Sequence, residues 1–314
     1  MKNAILTNEM SREQWLKERQ RGIGGSDAAA IMGLNPWKSA LDVYLDKISD
    51  EPIEIPDNPK MKAGRELEEV VARWWMEETG LRVKRDNKIR KHPAFPFIIA
   101  NIDRVIISEN GRGPGVLEIK TTSNFAMKRW EDQGWPYSPV WHAQIMHYLS
   151  VTGYDWGEIA VLVDGYDFRR IQVERDQEFI DSLLDEEVSF WQKHVSVKNP
   201  PEPRDEKDVL KIYPKSEPGS ELEASEELFQ MVLDLRDTKK QIDILAEKKK
   251  DFENAIKAVM KDYETIVYKG EPLVTWETTI SNRLDSKALK KDMPEIYSKY
   301  SKEYINRRFL LKIK

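Results

Sequence analysis

The sequence predicts an α/β fold: a mixed sheet flanked by helices in three layers, followed by an extension that is helical and contains a small β element. Three observations predict it. Helical spacing with start and stop signals recurs before the first extended run and again after the last. Between them lie extended apolar runs at 82–90, 97–107, 115–121, 157–163 and 167–174, interrupted by one helical run at 138–151. Beyond a stretch rich in Pro, Ser and charge, apolar residues return at near-heptad spacing.

Each element has a local reason. Ser11 with Gln14 forms a capping-box start for a helix ending near Arg21. Gly22-Ile23-Gly24-Gly25-Ser26-Asp27 reads as a glycine-rich turn opening a second helix, with Ser26 its expected N-cap and Gly33 its stop. Ser39 and Asp42 start a third helix through Ile48. Residues 61–79 place Leu67, Val70, Val71 and Trp74 on one face, and Gly80 is the expected C-cap. The runs 97–107 and 115–121 are joined by the turn-rich Glu109-Asn110-Gly111-Arg112-Gly113-Pro114, and the last two runs by the hairpin signal Asp164-Gly165. The helix at 138–151 stops at Gly153, and one at 176–194 closes a domain of residues 1–195. Residues 196–224 read as a linker or extended arm, and 225–314 as a separate extension. There, Leu228, Met231, Leu235, Ile242, Leu245, Phe252, Ile256 and Val259 mark a long helix or helical hairpin, with Thr238 and Lys249 interrupting the seam. The stripe is expected to serve ordinary packing, with a dimerisation zipper as the alternative.

Composition narrows the function. With no cysteine in 314 residues, disulfides and thiolate metal sites are excluded, which fits a reducing cytoplasm. No run of about 18 apolar residues suggests a membrane span, and the first residues lack the apolar core of a secretory signal. The net charge is −5, yet residues 281–314 carry ten Lys and Arg against four acids. That asymmetry fits phosphate contact or a solvated basic tail equally well.

The chemistry gathers around Asp103 and the run Glu118-Ile119-Lys120. Side chains alternate on a strand, so Glu118 and Lys120 share one face while Ile119 enters the core. With Asp103 on the neighbouring strand, two carboxylates and an ammonium converge, a set of hard ligands suited to Mg²⁺ or Mn²⁺. The plain alternative is a solvated ion pair. Glu68, at the border of the apolar stripe on the 61–79 helix, is placed to add a third carboxylate. Gln144 and Tyr148, four apart, share a helix face. His142 and His147, five apart, do not, and neither is expected to bind metal. The glycine turn at Ser26, with Arg19 and Arg21 upstream, suits an anion. Its spacing matches no Walker loop.

Taken in order, Arg19, Gly24-Gly25-Ser26-Asp27, Gly64 to Glu68, Asp103, Glu118-Ile119-Lys120 and Gln144 to Tyr148 resemble the YqaJ-like viral recombinases. These are relatives of the lambda-type phage exonucleases in the PD-(D/E)XK nuclease superfamily, with a restriction-endonuclease-like core. The resemblance covers residues 12–195 and departs from the superfamily pattern at Ile102, where a proline usually precedes the metal aspartate. It implies a Mg²⁺-dependent 5′→3′ double-strand DNA exonuclease of phage or prophage recombination, binding one or two ions (Mn²⁺ as a substitute). Asp103, Glu118 and the Ile119 carbonyl would be ligands, with Glu68 serving a second ion. Lys120 would handle the attacking water, Gln144 would orient water or substrate, and Tyr148 would support that helix. Arg19 and Ser26 would hold a terminal 5′-phosphate. The resemblance also implies DNA ends and a phage single-strand annealing protein as partners, a ring-shaped homotrimer, and a bacterial cytoplasm. An endonuclease on the same fold and a non-catalytic DNA-end-binding protein are the competing readings. A Cas4-like enzyme is excluded, because its iron–sulfur cluster needs cysteines.

Overall fold

The computed structural model describes residues 4–52, 57–107, 112–303 and 306–313. The chain divides into two compact units, Met1–Val209 and Leu210–Lys314. The first unit opens with β1 (Ala4–Leu6), α1 (Arg12–Gln20), α2 (Gly25–Ile31), α3 (Ala40–Ile48) and α4 (Pro59–Thr79). The reciprocal Ser11–Gln14 and Ser39–Asp42 caps form as expected, and Gly80 ends α4 at φ 70°. There follow β2 (Val83–Arg85), β3 (Lys88–Lys91), β4 (Ile99–Ala100), β5 (Arg104–Ile106), β6 (Gly115–Thr122), α5 (Asn124–Glu131), α6 (Pro139–Thr152), β7 (Trp156–Val163), β8 (Asp167–Glu174) and α7 (Gln177–Phe190). A π-helical turn, Trp191–Val195, extends α7.

The main sheet has the order β2-β5-β6-β7-β8. Only β6 and β7 run parallel, and α5 and α6 make the crossover between them. Every residue of β7 is buried, as a central strand covered on both faces must be. On one face, Val71, Ala72 and Trp75 of α4 pack on Leu117, Ile119, Ala160 and Leu162. On the other, Ala143, Ile145, Met146 and Leu149 of α6 pack on Val116, Ile159, Val161 and Val163, with α2 and α7 beyond. This is the three-layer mixed α/β architecture that the periodicity indicates. The β7–β8 hairpin turns on Asp164 and Gly165 at φ 51° and 82°, a left-handed pair that matches strand twist.

Two expected strands prove to be four. The run 82–90 breaks at Asp86, whose carboxylate takes both branches of the Arg90 guanidinium at 2.6 and 2.7 Å. The chain thereby leaves the main sheet for a second sheet of order β1-β3-β4, and returns at β5. The run 97–107 breaks between β4 and β5, so Asp103 lies at a bend and not on a strand. Short length hid β1, and α5 was masked by the polar residues around its Ser123 cap. The expected turn at 109–114 begins outside the described residues.

Residues read as linker contain α8 (Glu206–Ile212), in which Asp208 is buried and accepts from the Ser39 hydroxyl at 2.9 Å. In the second unit, α9 (Glu226–Met260) is one 35-residue helix and not a hairpin. It is followed by the β9 (Thr265–Tyr268) and β10 (Glu271–Thr275) pair, α10 (Ser286–Asp292) and α11 (Pro294–Tyr300). The apolar stripe of α9 does not serve packing within the unit. Among the described residues, its eight apolar seam residues are all exposed.

His147, fully buried on α6, ties three elements together. Its ring nitrogens face the Glu187 carboxylate on α7 at 2.7 Å and the Ile99 carbonyl of β4 at 2.8 Å. Both partners are acceptors, an arrangement that favours the doubly protonated imidazolium. Burial works against that charge, but Glu187 outweighs it and the pKa is raised. Stability from this pair is therefore fully present below the ordinary histidine pKa and is lost as pH rises through the raised one. Thermal melts are expected to show a Tm that falls across that window. His147→Ala, which strands a buried carboxylate, is expected to cost about 3–5 kcal/mol by urea unfolding and to flatten the profile.

Candidate active site

The site forms where β5 stops pairing with β6. The ladder runs Ile106↔Gly115, Val105↔Val116 and Arg104↔Leu117, then ends. One step further, Asp103 Oδ2 accepts the Ile119 N–H at 3.0 Å. A side chain thus replaces the missing strand and satisfies an amide that would otherwise be orphaned. Alternation along β6 sends Leu117 and Ile119 to the α4 face, and Glu118 and Lys120 toward α6.

There, Lys120 Nζ lies 2.7 Å from Glu118 Oε1 and donates to Gln144 Oε1 at 2.9 Å. The Gln144 amide donates to Glu118 Oε1 at 2.7 Å and to the Tyr148 hydroxyl at 2.9 Å. Glu118 Oε2 is buried with no hydrogen-bond partner. Asp103 faces the same space, and burial together with the Glu118 charge raises its pKa well above the usual carboxylate range. Burial and both carboxylates likewise push the Tyr148 phenol up, so it stays neutral. An unpaired anionic oxygen beside a second carboxyl is a costly arrangement, and a divalent cation would relieve it. The donor set therefore fits Mg²⁺ or Mn²⁺.

Glu68 is placed differently. Helix α4 covers the sheet face opposite Glu118, and Glu68 Oε1 accepts from Arg104 Nη1 at 2.6 Å. The buried Arg104 also binds Glu69 at 2.8 Å and the Asp103 carbonyl at 2.8 Å. Among the described residues, no three Asp, Glu or His side chains form a ready-made metal cage. Asp103 and Glu118 form the pair, while Glu68 lies at the rim of an open cleft with Trp15, Arg85 and Asp103.

At the glycine turn, Gly24 and not Ser26 is the N-cap. The reason is Asp27, whose carboxylate reaches back to the Gly24 N–H at 3.1 Å. Asp27 is buried against Lys38 at 2.7 Å and Lys47 at 3.0 Å, and these cations hold its pKa far below the usual range despite the cost of burial. Ser26, one residue inside α2, is exposed and accepts from Arg19 Nη2 at 3.0 Å. The Arg19 guanidinium lies over the Trp15 ring, 4.7 Å from its centroid. This corner and the carboxylate pair are joined through Gly25. A Cβ there would lie 2.5 Å from Tyr148 Cε1 and 3.2 Å from Gln144 Cγ.

Arg104 and the Asp27–Lys38–Lys47 cluster escaped sequence reasoning. Arg104 adjoins Asp103 and Asp27 adjoins Ser26, but nothing in one sequence marks either as buried.

The YqaJ-like viral recombinase domain model matches residues 14–155. The chain is 37% identical over 314 residues to the uncharacterized protein YqaJ of Bacillus subtilis (strain 168), covering 97% of this chain and 95% of that one. The chain belongs to the YqaJ-like viral recombinase family. Among solved structures, an alkaline exonuclease (LHK-Exo) from Laribacter hongkongensis shares the fold with a TM-score of 0.50 and 21% identity, over 60% of this chain and 94% of that one. The same exonuclease in complex with dAMP gives a TM-score of 0.49 at 20% identity, with the same coverage. The family match falls within the first unit and spans Arg19, Ser26, Glu68, Asp103, Glu118, Lys120, Gln144 and Tyr148.

Gly25→Ala is expected to overpack the α2–α6 contact and cost about 1–3 kcal/mol in urea unfolding. The same variant is expected to perturb near-ultraviolet signals from Tyr148.

Proposed function

We propose that this protein is a Mg²⁺-dependent 5′→3′ exonuclease of double-stranded DNA ends, acting in phage or prophage recombination. The observation that carries the reading is the partnerless Glu118 Oε2 beside Asp103, with Lys120 hydrogen-bonded into the same pair. Family membership and the alkaline exonuclease fold support it.

Asp103, Glu118 and the Ile119 carbonyl would hold the first ion, and Glu68 would serve a second on release from Arg104. Mg²⁺ supplies Lewis-acid polarisation of the phosphoryl oxygen and a more acidic water. Lys120 orients that water and donates toward charge developing on phosphorus. Gln144 fixes Lys120 and Glu118 relative to each other, and Tyr148 fixes Gln144. The water oxygen bonds to phosphorus as it gives up a proton to solvent, and the 3′-oxygen of the terminal nucleotide leaves, taking up a proton. The released nucleotide keeps its 5′-phosphate, and the shortened strand begins with a new one. Arg19 and Ser26 would grip that phosphate, which gives the 5′→3′ direction. The 3′ single strand left behind is the substrate of an annealing partner.

Lys120→Ala is expected to lower the Mg²⁺-dependent release of acid-soluble nucleotides from linear duplex by about 100-fold or more. Covalently closed duplex should persist with the parent protein, and its nicking would instead identify an endonuclease. The parent should digest 5′-phosphorylated ends faster than 5′-hydroxyl ends, and Arg19→Ala should abolish that preference. Equal rates on both ends in the parent would remove Arg19 and Ser26 from the site.

A further inference from the structure

The seam of α9 keeps a strict seven-residue repeat over five heptads. Leu228, Leu235, Ile242, Lys249 and Ile256 occupy one core series, and Met231, Thr238, Leu245, Phe252 and Val259 the other. Eight of these ten are apolar, and all eight are exposed, with Met231 66% and Val259 75% accessible. Along a helix this long, such a stripe is a far larger apolar surface than a solvated helix carries, and a strict seven-residue period is the seam of a coiled coil rather than the face of a globular helix.

The charges flanking the seam decide what covers it. In a parallel, in-register pair, each position just before the first series meets the position just after the second series in the next heptad of the partner. Two such pairs are charged on both sides, Asp234 with Lys239 and Lys248 with Glu253, and both are of opposite sign. Of the other three, Glu227 with Val232 and Gln241 with Ala246 contain no like-charge clash, and Met260, opposite Ala255, is already buried within its own chain. With Ile242 placed opposite Leu245, an antiparallel pairing brings Gln241 to Lys248 and Asp234 to Ala255 and gains neither attraction, while the register that joins Asp234 to Lys248 also sets Lys239 against Lys239. A lone lysine within a seam, as at Lys249, fixes register and favours a small number of strands. Glu253, which already pairs with Lys249 at 3.3 Å along the helix, can take that ammonium at the edge of the seam.

We propose that α9 is the docking surface for a second copy of this chain, forming a parallel, in-register, two-stranded coiled coil. The assignment is independent of the nuclease reading, because no residue of the candidate active site takes part.

The test uses the full chain. Leu245→Glu puts a charge in the seam without touching a packed core, and light scattering after gel filtration is expected to give it half the parent's mass. Lys239→Glu alone should weaken the association, and Asp234→Lys with Lys239→Glu should restore it. Because the chain has no cysteine, Leu228→Cys reports orientation cleanly. On oxidation it should yield a disulfide-linked pair, whereas Lys240→Cys, on the outer face, should not. An unchanged mass for Leu245→Glu, a threefold drop, or a Leu228→Cys chain that stays uncrosslinked would each overturn the proposal.

Discussion

The hydrogen bond from the Ile119 amide to Asp103 Oδ2 decides where everything else in the candidate site can be. It lies one residue pair past the last rung between β5 and β6, so it both ends the ladder and keeps the sheet from fraying. Ending the ladder there opens the edge of β6 just where Glu118 and Lys120 emerge. The cost is a half-buried aspartyl group beside a buried glutamate, and loss of solvent together with the Glu118 charge raises the pKa of Asp103. Such strain is tolerable in a protein whose surrounding layers are packed from both sides.

Much of this was legible in the sequence because it depends on local rules. Alternation along β6, the reciprocal caps of α1 and α3, the glycine stop of α4 and the Asp164-Gly165 turn are set by residues a few positions apart. The four-residue spacing of Gln144 and Tyr148 likewise put both on one face. What failed to show depends on distant partners. Splitting 82–90 and 97–107 between two sheets requires β3 to pair with both β1 and β4, which no periodicity encodes. The cap of α2 passed from Ser26 to Gly24 because Asp27 is pulled inward by Lys38 and Lys47.

Glu68 illustrates the same limit within the site. Its helix and its distance from the apolar stripe were readable, but the identity of its partner was not. Arg104 alternates with Asp103 at the mouth of β5, and alternation places its guanidinium toward α4, where Glu68 and Glu69 wait. A carboxylate that in sequence looks available for a cation is thus already engaged by a buried arginine. The outer acidic residue and the inner pair are thereby separated into two tiers of different electrostatic demand.

The absence of a side chain at Gly25 has a geometric consequence. It lets the helix that follows Arg19 rest directly on Tyr148 and Gln144, with no compressible layer between them. The Arg19–Ser26 corner and the helix that carries Gln144 and Tyr148 are therefore in direct contact. A side chain at this one position would have to push α2 away from α6, so the spacing of the two helices is set where no side chain is present.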